Sequence, residues 1–257
     1  AILHRPALVV LNERIPGFSY QNFGTDGKGL AFSDDAGKTW LPFEIEQWSA
    51  DANSYVWVNV PVLTNGATVR LWWKSVPTGT AQGPVNTNLW PSPFLSVWHL
   101  QSTSNRFDSA GHADFQAIYD NSWWAYPPAA NGPSGRCNAL RTTPSWAGLS
   151  VTYSNSAALD SRFTFSWWAK RDDFDAPRNS YFLQFYQGNQ RAILTGYGSA
   201  PQNSFKLWPN VSSAIPIPNA GWHYYAFSAD GSTLRGYRDG VEIFSQSGYA
   251  FGMTDIN

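Results

Sequence analysis

The 257-residue chain has one cysteine, Cys137, one methionine, Met253, and four glutamates. A single cysteine excludes a disulfide framework and a cysteine metal cluster, so Cys137 reads as a small buried hydrophobe. Four glutamates leave little material for paired-carboxylate catalysis. Charged residues make up only 14% of the chain and the net charge is −1, so it carries neither a basic field for nucleic acid nor an acidic tail. No apolar run reaches the length of about 18 residues that a membrane-spanning helix needs. The histidines, His4, His99, His112 and His223, show no metal-ligand spacing. A G-x-S-x-G nucleophile motif and phosphate-cradling glycine loops are absent as well. The chain starts at Ala1 rather than Met, which fits removal of an export signal, and the expected location is extracellular or in the cell envelope.

What the chain has in abundance is tryptophan, 14 residues of it. Indole is a broad flat surface with one N–H donor, suited to core packing and to stacking on flat ligands. Helical periodicity is nearly absent. Short alternating runs between Gly, Pro, Asn, Asp and Ser punctuation predict an all-β protein. Val56, Val58, Val60 and Val62 share one strand face, with Trp57 and Asn59 on the other. Val69, Leu71 and Trp73 alternate with Thr68, Arg70 and Trp72, and Thr64-Asn65-Gly66 between the runs is a hairpin signal. Tyr225 and Phe227 alternate with Tyr224 and Ala226. Turns at Asp230-Gly231 and Asp239-Gly240 then predict a three-stranded meander through Thr233–Arg238 and Val241–Phe244. The stretch Ser75–Pro93 is rich in Pro, Gly, Asn and Thr and marks a domain boundary. A second loop-rich stretch, Tyr126–Pro144, reads as a long connection within the second domain.

Ile15–Tyr20 (IPGFSY), Gly29–Asp34 (GLAFSD), Leu41–Trp48 (LPFEIEQW) and Val56–Pro61 (VWVNVP) together resemble a bacterial domain of unknown function. That domain often precedes laminin-G-like domains in surface and envelope proteins. The resemblance covers residues 1–76. Further on, VWH at Val97–His99 with Asp108-Ser109-Ala110-Gly111 resembles the entry of a laminin-G-like, concanavalin A-like sandwich. FTFSWWAKR at 163–171 and GWHYYAFSADGSTLRGYRDGVEI at 221–243 resemble later strands of the same family, so this match covers 94–257. The resemblance implies two tandem β-sandwiches, residues 1–80 and 93–257, joined by a linker at 81–92. The second would be a concanavalin A-like jelly roll whose closing strands have no visible counterpart. Either the natural protein continues past Asn257, or another chain fills the gap by strand donation at an open sheet edge.

Concanavalin A-like sandwiches include glycoside hydrolases, which need two carboxylates about 5–5.5 Å apart when retaining. The E-x-D-x-x-E strand that supplies them in that architecture is missing. Glu44 and Glu46 share a strand face, but within a segment that the resemblance explains structurally. His99 and His223 each follow a Trp at family-typical strand positions and read as satisfied core or interface residues. The most plausible metal is a structural Ca2+ at Asp108, since hard cations take loop oxygens. Asp172-Asp173-Phe174-Asp175 is a second acidic cluster.

The tryptophans divide by position. Trp48, Trp57, Trp98, Trp168 and Trp222 occupy family strand positions and are expected in the core. Trp73 and Trp167 fall in phase with apolar faces and are expected there too. Trp40, Trp123, Trp124, Trp146 and Trp208 lie in loops or at strand ends and are candidates for ligand contact. Around Trp123, Trp124 and Tyr126, the polar groups of Asp120, Asn121 and Arg141 would orient sugar hydroxyls while the rings stack on sugar faces. Lys206–Asn210 offers a similar platform at Trp208. The expected function is non-catalytic recognition of a polysaccharide or glycan by an exported bacterial surface protein. The alternative is a structural subunit that binds other copies of itself or other surface proteins through a sheet edge and an aromatic patch.

Overall fold

The computed structural model describes residues 1–73, 88–91, 93–100, 107–112, 114, 116–117, 130–131, 138–139, 149–150, 162–170, 181–187, 190–196, 204–205, 215–216 and 221–248. Among these the protein is all-β, as the punctuation predicts. The one helical element among the described residues is a single 3-10 turn, Tyr20–Asn22. The chain divides into two compact units, residues 1–130 with 137–150, and residues 131–136 with 151–257.

The first unit is built on β1 (Ile2–Leu11), β2 (Ala31–Asp34), β3 (Trp40–Leu41), β4 (Phe43–Gln47), β5 (Ser54–Leu63) and β6 (Val69–Trp72). They form two antiparallel three-stranded sheets, ordered β1-β5-β4 and β3-β2-β6. Alternation sorts their side chains. Leu11, Phe43, Val56 and Val58 from one sheet meet Phe32 and Leu41 from the other in a single core, closed by Phe18, Tyr20 and Leu30. Phe32 and Phe43 meet edge to face at 5.3 Å. Trp48 packs on this core against Tyr20 and Phe23, as expected of it. Each fully buried Leu, Val or Phe side chain contributes about 1.5–3 kcal/mol.

That core settles where β6 goes. Asn65-Gly66 does make a tight turn, with Gly66 at φ +80 and the Ala67 N–H donating to the Thr64 carbonyl. The flanking strands nevertheless do not pair: β5 lies between β1 and β4, while β6 pairs with β2. The expected hairpin is therefore a crossover between sheets. Burying Leu71 and Val69 on the shared core outweighs a local turn preference.

The valine face of β5 is buried at Val56, Val58 and Val60, but Val62 is exposed. The opposite face is covered too. Leu89, Trp90 and Ala110 form a second buried cluster, with Trp57, Phe94 and Val97 packed on it. Asn59, on that same face, is buried and its amide donates to the carbonyls of Asn88 and Leu89. Leu89 and Trp90 thus act as core residues, although they sit in a stretch whose composition reads as linker.

Four two-residue strands follow: β7 (Gln116–Ala117), β8 (Ala130–Asn131), β9 (Asn138–Ala139) and β10 (Leu149–Ser150), with β7 paired to β10. The second unit contains β11 (Arg162–Ala169), β12 (Tyr181–Gln187), β13 (Gln190–Gly196), β14 (Ser204–Phe205), β15 (Ile215–Pro216), β16 (His223–Asp230), β17 (Thr233–Arg238) and β18 (Val241–Ser247). Its largest sheet among the described residues runs β11-β16-β17-β18. The predicted meander is β16-β17-β18. Asp239 at φ +51 and Gly240 at φ +80 form the two-residue loop between the paired residues Arg238 and Val241. Both central positions of such a turn need positive φ, which Asp tolerates and Gly adopts freely. On the inner face Trp167 stacks on Tyr225 at 5.7 Å and on Phe227 at 5.6 Å.

Tyr20 joins three segments of the first unit. Its buried hydroxyl lies 2.9 Å from the Leu11 carbonyl, 2.9 Å from the Ala52 carbonyl and 2.9 Å from Ser54 Oγ. Tyr20→Phe leaves these acceptors without their shared donor while keeping the ring packing. The expected loss is about 1–3 kcal/mol of stability in urea denaturation; an unchanged midpoint would show that the hydroxyl is dispensable.

Candidate functional site

Two arrangements among the described residues carry polar chemistry: a closed cluster in the first unit and an open face in the second. The closed cluster grows from β4. Glu44 and Glu46 share one strand face, as the sequence indicates, and lie under the segment that covers β5. Trp90 Nε1 donates to Glu44 Oε2 at 3.0 Å, Ser109 Oγ to Glu44 Oε1 at 2.7 Å, and Trp57 Nε1 to Glu46 Oε2 at 2.6 Å. His99 sits between the acids, Nε2 3.5 Å from Glu44 and Nδ1 3.7 Å from Glu46. These are ion-pair distances, and Nε2 makes no hydrogen bond of ordinary geometry. The three side chains are 10–16% exposed, so the acids are turned into the packing rather than toward a cleft.

Burial works against a charged Glu44, but His99, Trp90 and Ser109 outweigh it and lower its pKa. Burial likewise works against a charged His99, but the facing Glu44 and Glu46 carboxylates outweigh it and raise its pKa. The expected satisfied histidine is thus an ion-paired one.

Asp108 is fully buried. Its Oδ1 accepts the N–H groups of Val97 at 2.8 Å and Ala110 at 2.9 Å, and its Oδ2 that of His112 at 3.1 Å. The carboxylate therefore ties Val97-Trp98-His99 to the turn at 108–112, and Ser109 Oγ carries that turn onto Glu44. At Asp108, the expected calcium ligand, the carboxylate already accepts three N–H groups. Among the described residues no group of three or more His, Cys, Asp and Glu side chains is placed to hold a metal ion.

The open face belongs to β11-β16-β17-β18. Phe163, Trp167 and Ala169 point inward with Tyr225, Phe227 and Ala229. The outward rows are Trp168 opposite Tyr224, Ser166 opposite Ala226, and Thr164 opposite Ser228. Trp168 is 52% exposed and Tyr224 38%, their ring centroids 5.4 Å apart. This corrects the expectation that Trp168 is core. Adjacent residues of a strand face opposite ways, so Trp167 and Trp168 cannot share one side.

Tyr224 is held by the neighbouring turn. Its N–H donates to Asp239 Oδ1, its carbonyl accepts the Asp239 N–H, and Asp239 Oδ2 lies 2.7 Å from His223 Nδ1. His223 and the Tyr224 N–H together lower the Asp239 pKa. Tyr237 pairs with Ala226 and Arg235 with Ser228, extending the outward rows. Arg235 is occupied by Asp230 at 2.6 Å and faces Glu242 at 3.9 Å. The face thus grades from paired aromatics through hydroxyls to a compensated ion pair.

The loop candidates Trp123, Trp124, Tyr126, Trp146 and Trp208, with Asp120, Asn121 and Arg141, lie outside the described residues, as do Cys137 and Asp172–Asp175. Trp40 is described and exposed. Trp57, Trp98 and Trp222 are half-buried. Sequence reasoning gave Trp72 and Trp90 no role, although both have ordered indoles.

A family model described as the concanavalin A-like lectin/glucanases superfamily matches residues 146–254. That span contains the whole β11-β16-β17-β18 sheet, whereas Val97–His99 and Asp108–Gly111 precede it. No curated protein and no solved structure matches the chain. The matched superfamily spans lectins and glucanases, so it agrees with carbohydrate binding as a class and leaves the choice between binding and hydrolysis open.

The cluster predicts a two-sided pH dependence. His99 has a raised pKa in the fold, so its contribution is fully present below its ordinary value of 6.5 and is lost as pH rises through the higher folded value. Glu44 has a lowered pKa, so its contribution is present above its ordinary 4.5 and is lost as pH falls through the folded value. Stability measured from about pH 2 to about pH 9 is expected to decline on both sides. In His99→Gln the alkaline decline should flatten; an unaltered alkaline limb would sink this assignment.

Proposed function

We propose that the chain is a non-catalytic glycan-recognition module of an exported bacterial surface protein, and that the open face of the second unit is a sugar-binding platform. The observation that carries this reading is the exposed Trp168–Tyr224 pair on a sheet inside the segment similar to the concanavalin A-like superfamily. Leaving two large rings partly exposed side by side forgoes a share of the roughly 1.5–3 kcal/mol that full burial of each contributes. Clustered exposed aromatics mark interaction sites. A pyranose offers a flat C–H face for the rings, and its hydroxyls reach the Tyr224 hydroxyl, the Trp168 N–H and Ser166. The same reading takes Trp123, Trp124, Tyr126 and Trp208 as further stacking rings, with Asp120, Asn121 and Arg141 at the rim. Residues 1–76 are read as the envelope-protein domain of unknown function that their motifs resemble.

The alternative, an assembly subunit, draws on a different surface. Ile2, Leu3, Leu8 and Val10 of β1 and Val62 of β5 are all exposed, and β1 is at the edge of its sheet among the described residues. Sedimentation velocity distinguishes the readings, since a glycan module needs no concentration-dependent dimer.

Affinity electrophoresis of the chain in gels containing neutral β-glucan, mannan or galactan should show retardation in at least one. Trp168→Ala should weaken it by about tenfold, the equivalent of one 1.4 kcal/mol contact, with melting temperature nearly unchanged because the ring is exposed. Wild-type migration unaffected in every gel, or full retardation by Trp168→Ala, would overturn the platform. Trp123→Ala and Trp124→Ala tested alongside should weaken retardation without lowering the melting temperature.

A further inference from the structure

The first unit has an outward face of its own, that of the sheet β3-β2-β6. Its inward row is Leu41, Phe32 and Leu71, and the row behind it is Trp40, Ser33 and Arg70 in register across three strands. Trp72 lies two residues beyond Arg70 on β6, opposite Ala31. The central strand therefore offers two small side chains, Ser33 and Ala31, and the flanking indoles lean in over them. Both small residues are completely covered. The rings of Trp40 and Trp72 meet at 5.7 Å, nearly edge to face.

The two indoles are not equivalent. Trp72 Nε1 donates to Ser33 Oγ at 2.7 Å, and the Ser33 hydroxyl donates to the Asp34 carbonyl at 3.0 Å. The turn behind Trp72 approaches closely: a Cβ on Gly37 would lie 3.4 Å from its ring and 3.7 Å from Arg70 Nη1. Trp72 is thus a fixed wall. Trp40 is 39% exposed. Its N–H has no hydrogen-bond partner among the described residues, so it is a ring and a donor presented to solvent.

Arg70 is exposed, and among the described residues its guanidinium has neither an ion pair nor a hydrogen bond. The adjacent turn holds Asp34, Asp35 and Lys38. Asp34 Oδ1 is taken up by the N–H groups of Lys38 and Thr39, which lower its pKa, so this acid closes the turn instead of answering Arg70. Asp35 and Lys38 are both exposed and offset each other in formal charge. Among the described residues the face is left with an uncompensated planar cation beside two indoles.

We propose that this face is a second carbohydrate site, and that it takes an acidic polysaccharide, one whose sugars carry carboxylates. The Trp40 ring stacks on the sugar, and the Arg70 fork receives the carboxylate through two parallel N–H···O bonds, a geometry that guanidinium matches and a neutral sugar does not exploit. Nucleic acid is the poorer occupant, because it is held by many cations tracking a backbone and the chain's net charge is −1. The site stands on different residues from those of the second unit and does not depend on that platform.

The test uses the full chain in isothermal titration with polygalacturonate, and with fully methyl-esterified polygalacturonate as the same backbone without its charge. Wild-type protein should bind the acid form and lose affinity as salt is raised. Arg70→Gln and Trp40→Ala should each weaken binding by about tenfold, with Arg70→Lys falling between wild type and Arg70→Gln. Both side chains are exposed, so melting curves should confirm folded variants. Trp168→Ala should weaken binding of the acid form less than Arg70→Gln does, which separates this site from the first. Equal binding of the esterified polymer, undiminished binding by Arg70→Gln, or no binding of the acid form would overturn the proposal. A Trp40-dependent dimer found in place of binding would overturn it as well and assign the face to self-association.

Discussion

Successive residues of a strand point to opposite faces of a sheet, so two adjacent tryptophans cannot both enter one core. This constraint acts twice in the described part of the chain. At Trp72-Trp73 the second indole packs toward Phe18 at 6.5 Å while the first lies on the outer face of β6. At Trp167-Trp168 the first indole stacks on Tyr225 and Phe227 while the second is turned out beside Tyr224. In each case one ring stabilises the sandwich interior and the other is committed to the surface by the same backbone. Both aromatic platforms follow from that arrangement. Losing the inner ring would loosen the strand that presents the outer one, so core stability and surface geometry are coupled through single peptide units.

The cluster around Glu44 shows a different use of buried polarity. A carboxylate within a covered sheet face is costly unless its oxygens are met by donors. Here two indole N–H groups, one hydroxyl and one imidazole meet the two acids. The donors come from β5 and from the segment 90–109, so satisfying the charges also fixes where that segment lies. Asp108 does the same within the segment by gathering three N–H groups. Removing either partner of such a network leaves the other buried and unpaired, which costs more than the pair itself contributes. Glu44 and Glu46, the two acids that share a strand face of β4, are thus explained by packing.

How much of this the sequence discloses depends on whether the signal is periodic. The inner faces of β5, β11 and β16, and the Asp239-Gly240 turn, are legible because period-two alternation and positive-φ preferences are local. The partner of β6 is not, since turn chemistry at Asn65-Gly66 shows that the chain reverses but not which sheet receives it. Leu89 and Trp90 escape notice for a related reason: a segment without regular structure that covers a second sheet face has no period to read. Trp168 was placed in the core by resemblance to a family strand, against the phase set by Trp167, and the phase was the better guide. Positional resemblance says that a large aromatic stands at a given place, whereas alternation says which way it faces. The aromatics around Trp123 and Trp124 have neither kind of signal in the sequence, because a proline-rich stretch has no period to read.

Flat, open platforms of one or two rings differ from the concave pockets that enclose small ligands. Such a surface covers one side of a sugar and leaves the other in water, so each contact is weak by itself. A polymer changes the arithmetic. It presents the same sugar face at every repeat, and a chain released from one ring remains near the next, at an effective concentration set by the tether rather than by bulk solution. On the proposed reading, a weak platform of this kind therefore suits a polysaccharide better than a free monosaccharide. The charge difference between the two faces adds selectivity. The Trp168 face ends in the Arg235–Asp230 pair, which compensates its own charge, whereas no acid among the described residues pairs with Arg70. A neutral repeat would gain little from the Arg70 face, and an acidic repeat would find its best partner there.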